Sequence, residues 1–191
     1  PPLFRSKRGQ SEVYLKDQRE LDDYLMAAGL KDSVFKTFDG TQFAGKELED
    51  IVNHAVNISR LVEILGRQLG SREVIQQAAI AGVLNLEMIG NDEAAQYLSK
   101  RLEARSEILE KGWSCKSEVF ETDFAMVIER NLRGIKERYV IDRDLVSLHE
   151  TMILDKEAGH LQKFYGKPAE FFSGTQKVTI EGPSELAQQI F

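Results

Sequence analysis

Cysteine is nearly missing from this chain, and that scarcity is the first thing its 191 residues establish. Cys115 stands alone, so no internal disulfide is available, and the fold must rest on packing in the manner of proteins kept in reducing compartments. Cationic excess is missing too: 25 Lys and Arg face 31 Asp and Glu, a formal net charge of −6. Any contact with nucleic acid must therefore come from a local patch rather than from the field of the whole molecule. No apolar run approaches the ~18 residues that span a bilayer, and no secretory leader pattern opens the sequence, so the expectation is a cytoplasmic protein without a membrane. Proline is confined to Pro1, Pro2, Pro168 and Pro183, which leaves long stretches free to be regular.

What is present is an ordinary globular composition, 42% apolar and 29% charged. A chain this long buries roughly 70% of its unfolded surface and can hold a core without staples. After a first hairpin from Leu3 and Phe4 to Val13, Tyr14 and Leu15, turning through Arg5–Gly9, the residues Leu21, Tyr24, Leu25 and Ala28 predict a short helix stopped by Gly29. Val34–Phe38 and Thr41–Phe43 flank Asp39 and Gly40 and read as a second hairpin. From Leu48 to Leu69 a 3.6-residue period predicts a long helix ending near Gly70. Ser71 caps a second helix. Asn91 and Asp92 open a third, with Ala95, Leu98, Leu102 and Ile108 on one side and Lys100, Arg101 and Arg105 on the other.

Past Gly112 the period falls to two, through Trp113–Phe120, Phe124–Ile128 and Ile135–Ile141, which predicts an antiparallel meander. Ser147 and Glu150 fit a capping box for a helix carrying Leu154, Ala158, Leu161 and Tyr165, ended by Gly166 and Pro168. Lys177–Ile180 reads as a last strand, and Gly182, Pro183, Ser184 and Glu185 open a terminal helix. The fold class expected is α+β, with a helical part of three consecutive helices packed against a small antiparallel sheet and C-terminal helices. The helical part covers about 18–111, the sheet-containing part about 112–182 and the terminal helix 183–191.

Several patterns resemble chemistry without completing it. Gly40–Lys46 spells G-x-x-x-x-G-K, but Glu47 stands where a phosphate loop needs Ser or Thr, and a carboxylate there repels a triphosphate. Asp142 and Asp144 end a strand as an Asp-x-Asp pair, short of the oxygens a divalent cation requires. Glu157 and His160 form one Glu-x-x-His, half of a di-iron constellation whose second copy is absent. His149 and His160 lie about 16 Å apart along a continuous helix, too far to share an ion. His54 sits beside the apolar stripe of the long helix. Cys115 has no nearby His or Cys and reads as inert. The cations able to touch phosphate are Arg5, Lys7, Arg8 and Lys16, with a second group at Arg130, Arg133, Lys136 and Arg138. Neither a catalytic residue nor a metal ligand is expected.

Pro1, Pro2, Leu3 and Phe4, a basic turn ending in Gly9, and then Val13, Tyr14, Leu15, Lys16 and Asp17 resemble, in this order, the end of the toprim domain in the B subunits of bacterial DNA gyrases. Ala44, Gly45, Leu48 and Glu49 resemble the family's helix opening after the second hairpin. The likeness is strongest from Pro1 to about Leu65. It implies that residues 1–17 leave the toprim domain, and that 18–191 form the insert found at this point in Gram-negative members.

The implied parent is an ATP-dependent type IIA topoisomerase of two A and two B subunits that supercoils DNA. Its Mg and ATP are bound by motifs outside this stretch, so the fragment is expected to have no turnover and no cofactor of its own. Implied partners are the remainder of the gyrase B subunit, the gyrase A subunit and duplex DNA. An interaction scaffold with no DNA role stands beside this reading, as does a small metallohydrolase built on Asp142, Asp144, Glu157 and His160.

Overall fold

Leu48, Ile51, Val52, Ala55, Ile58, Val62 and Leu65 recur at helical spacing, and all seven are buried on one stripe of the longest helix. In the computed structural model the residues described are 18–190, together with the backbone of 4–8 and 11–15. The elements run β1 (Phe4–Arg8), β2 (Ser11–Leu15), α1 (Gln18–Gly29), β3 (Ser33–Lys36), β4 (Gln42–Phe43) and α2 (Gly45–Leu69). They continue with α3 (Arg72–Ala81), α4 (Leu86–Ile89), α5 (Asp92–Arg105), a 3-10 turn at Ile108–Glu110, β5 (Ser114–Phe120), β6 (Asp123–Leu132) and β7 (Ile135–Ile141). Last come α6 (Arg143–Val146), α7 (His149–Lys156), α8 (Ala158–Tyr165), β8 (Ala169–Ser173), β9 (Gln176–Ile180) and α9 (Pro183–Gln188). This is the α+β class expected.

Gly70 ends α2 with φ 102°, donating its N–H to the Gly66 carbonyl at 2.7 Å. Only glycine takes that left-handed turn without strain. Ser71 then caps α3, its hydroxyl accepting from the Val74 N–H at 3.1 Å, as the sequence predicts. Val74 to Ile80 are all buried, so α3 is wrapped on every side, by α2, α5 and α8 among others. Asn91 caps α5 in the same way. Fully burying residues such as Leu65, Leu98 and Leu102 stabilises the fold by about 1.5–3 kcal/mol each.

Two sheets sit against these helices. The first has the order β4-β3-β8-β9, all antiparallel, and joins strands from the two halves of the chain through the pairing of Phe35 with Phe171. Both rings are buried, and Phe35 meets Phe43, Phe164 and Tyr165 at ring-centroid distances of 6.1–6.4 Å. The second is the expected meander, β5-β6-β7, with Cys115 opposite Ile128 and Met126 opposite Ile141. β1 and β2 pair separately, from Phe4 with Leu15 to Arg8 with Ser11.

The structure departs from the sequence reading at several points. Arg5–Arg8 continue β1 rather than forming a turn. Ile108 lies beyond α5 and is 85% exposed, because the helix stops at Arg105 and Ser106 is extended. Ser147 does not open a helix: Asp142 caps the start of α6, and Ser147 ends it, its hydroxyl donating back to the Arg143 carbonyl at 2.6 Å. The single helix expected from there is two, α7 and α8, broken at Glu157. α4 and β8 have no counterpart in the sequence reading. No helix among the described residues is long and apolar enough to cross a membrane.

Candidate functional site

The expected phosphate contacts divide between the two cationic groups. Arg5, Lys7 and Arg8 belong to β1, whose side chains lie outside the described residues, and Lys16 lies outside them altogether. The second group is on the meander, where cross-strand neighbours are within ion-pair reach. Arg130 meets Glu137 at 3.0 Å, donates to the Glu110 carbonyl at 3.1 Å and lies 4.2 Å over the Trp113 ring. Lys136 meets Glu129 at 2.9 Å, and Arg138 lies 3.9 Å from both Glu118 and Glu129. Lys136 is the main reason the Glu129 carboxyl titrates below its usual range. Arg130, Lys136 and Arg138 already have acidic partners, whereas Arg133 is exposed in the turn between β6 and β7.

The loop that resembles a phosphate cradle is filled by its own chain. Asp39 accepts from the Thr37 hydroxyl at 2.5 Å and from the Thr41 N–H at 3.1 Å, so a carboxylate occupies the turn. Those bonds, Thr37's above all, hold its pKa down. Lys46 lies 3.6 Å from both Glu49 and Asp50. Asp142 spends a carboxylate oxygen on the Leu145 N–H at 2.9 Å, while Asp144 is exposed. Cys115 is buried, and that burial pushes its thiol up to about 12, far from the thiolate a nucleophile needs.

One set of three ligand-type side chains converges among the described residues: His54, Glu157 and His160, with ligand atoms all within 4.8 Å of one another. α2 delivers His54 from the edge of its buried stripe, flanked by Ile51 and Ile58 one turn away on either side. Glu157 stands at the break between α7 and α8, where its carbonyl accepts the Leu161 N–H at 2.9 Å. His160 lies in the first turn of α8, with its ring 4.5 Å from Phe164.

His54 Nε2 meets Glu157 Oε2 at 2.9 Å, and the two imidazole rings are 4.0 Å apart. His54 Nδ1 is buried with no hydrogen-bond partner. Burial first, and the neighbouring His54 second, pull His160 below its usual pKa. Two imidazoles and a carboxylate at this spacing suit a cation. The sequence reading paired Glu157 with His160 and set His54 aside, because 103 residues separate His54 from Glu157. The available signal was a polar ring beside an apolar stripe. Asp142 and Asp144 are not part of this cluster.

A larger open cleft, about 990 Å³, runs between α1, α2 and α9. Arg19, Arg60 and Arg72 line it together with Asp22, Asp23 and Glu63, so its formal charges cancel. Gln18 and Gln188 both reach it, so α1 and α9 border the same cleft on α2.

No protein-family model matches the chain. Individual relatives do, along its whole length. The DNA gyrase B subunit of Rickettsia bellii is 26% identical over 190 residues, covering 100% of this chain and 23% of that protein. The corresponding protein of Caulobacter vibrioides is 27% identical over 190 residues, covering 100% and 22%. That of Rickettsia felis is 27% identical over 191 residues, covering 100% and 23%. The chain thus spans less than a quarter of the length of these relatives. Over its whole length the chain is similar to DNA gyrase B subunits.

Proposed function

We propose that this chain is an accessory insert domain of a gyrase B subunit, following the toprim domain, which helps hold duplex DNA and couples the B and A subunits during ATP-dependent negative supercoiling. The observation that carries the reading is similarity to gyrase B over 100% of the chain in separate bacterial genera. The packing is in keeping with it. A continuous hydrophobic core runs from Met26 to Leu186, so the domain brings its own stability to a host. α1 and α9 border one cleft on α2, which suits a domain spliced into another.

In this reading Mg and ATP serve other parts of the parent enzyme, in the cytoplasm, and this domain acts by positioning. Arg5, Lys7, Arg8 and Lys16 are its candidate contacts to DNA phosphate.

The test is deletion of the region from the full-length gyrase B protein, followed by assays of basal ATPase, DNA-stimulated ATPase and supercoiling with the gyrase A subunit. Basal ATPase should survive while DNA stimulation and supercoiling fall together. Unchanged supercoiling and DNA binding would overturn the proposal. A second reading, an interaction scaffold without a DNA role, is favoured by the acid-paired cations of the meander. Binding of duplex DNA that weakens with salt, and weakens further when Arg5, Lys7 and Arg8 become Ala, decides against the scaffold.

A further inference from the structure

We propose that His54, Glu157 and His160 form a site for one divalent transition-metal cation, Zn²⁺ foremost, which pins α2 to the corner between α7 and α8. The donors are two imidazole nitrogens and one carboxylate oxygen. That set favours Zn²⁺ over the hard, all-oxygen preferences of Mg²⁺ and Ca²⁺, and it leaves a fourth tetrahedral position for water.

The spacing fits. Ligand atoms around one tetrahedral Zn²⁺, each about 2.0–2.1 Å from the metal, stand about 3.3 Å from one another. Here His54 Nε2 and Glu157 Oε2 are 2.9 Å apart, and every ligand atom of the three lies within 4.8 Å of the others. His54 and Glu157 have side chains 26% and 36% exposed, so small side-chain rotations can close the remaining gap and the ion can reach the site.

The His54 and His160 rings stand 4.0 Å apart, close enough for one nitrogen of each to reach the same ion. Lys163, near His160 and 5.5 Å from the Phe164 ring centre, opposes loading. Glu157 offsets it.

The site would act as a clasp. Glu157 sits where α7 stops and α8 starts, and a metal bond from there to α2 would fix the angle of that break. This inference is independent of the gyrase reading and stands or falls separately.

The experiment is titration of the metal-free 191-residue chain with ZnCl₂ by calorimetry, and with Co²⁺ by visible absorption, alongside thermal melts. Expected are one ion per chain, a four-coordinate Co²⁺ spectrum, and a melting temperature raised by about 5 °C under saturating Zn²⁺. His54→Ala, His160→Gln and Glu157→Gln should each weaken binding about 100-fold, while His149→Ala leaves it unchanged. Mg²⁺ at the same concentration should shift nothing. Melts of each variant without metal, matching those of the unaltered chain, show that it still folds. Stoichiometric binding that survives all three substitutions, or no binding below about 100 µM in the unaltered chain, overturns the proposal.

Discussion

Two charged regions of this molecule use the same residue types to opposite ends. Where α3, α5 and α9 meet, charged and amide groups are enclosed. Gln76 accepts from the Ser184 N–H and donates to Glu185, both at 2.9 Å. Arg101 donates to Gln77, at 3.0 Å, and to the carbonyls of Tyr165 and Gly166 that end α8. Arg105, only 17% exposed, faces Glu185 at 2.9 Å, Glu181 at 3.2 Å and Glu73 at 3.7 Å. On the meander, Lys136 is 69% and Arg138 48% exposed, so water screens their pairs, whereas Arg130, 10% exposed on Glu137, belongs with the enclosed kind. Enclosed charges hold elements in one arrangement, because breaking them strands a partner; solvated ones keep a sheet soluble.

The sharpest way to break this contrast is Arg105→Met, which leaves three carboxylates facing one another. We expect a loss of about 3 kcal/mol at pH 7 in urea melts. The loss should be smaller in acid. Burial above all, with Arg105 opposing it and the Glu185 and Glu73 carboxylates adding to it, already raises the Glu181 pKa above the usual value. A carboxyl raised in this way favours the fold while protonated, and that benefit is lost as pH rises through its folded pKa. Without Arg105 the pKa climbs further, so the gap between variant and unaltered protein should narrow as pH falls toward the carboxylate range. A gap independent of pH would show that the arginine acts by packing alone.

A smaller effect is expected from Gly182→Ala. A Cβ there would run into the Gln76 side-chain amide, whose two ends are both engaged. Overpacking at such a point costs about 2 kcal/mol. Calorimetric melting should show the drop, and the double variant with Gln76→Ala should recover part of it. The smallest effect belongs to the outer sheet: Lys136→Ala should change stability by less than about 0.5 kcal/mol, and still less in high salt. A loss near that of Arg105→Met would erase the distinction between the regions.

Local signals in the sequence located most of the frame. α2 reads directly because its apolar period is unbroken, and Ser71 and Asn91 mark helix starts with the caps they form. The break at Glu157 was hidden, since Leu154 and Leu161 keep heptad spacing across it and both are buried. β8 was hidden as well, because its partner β3 lies in the other half of the chain and Ala169 and Phe171 are its only fully inward positions. Arg101 and Arg105 read as a solvated face, yet α8 and α9 cover that side of α5. Of the cation cluster, Glu157 and His160 were legible as a spaced pair. His54 joins them only through the packing of α2 on α7, which no local period encodes.

The pairing of β3 with β8 also sets a clock for synthesis. Lys36 and its partner Glu170 lie about 130 residues apart, and a ribosome adding about 5–20 residues per second emits the second strand roughly 7–27 s after the first. Through that interval the β3–β4 hairpin has a bare edge and the Phe35 ring has no Phe171 to meet. A nascent chain halted before residue 169 should therefore be a better client for holdase chaperones than the finished domain.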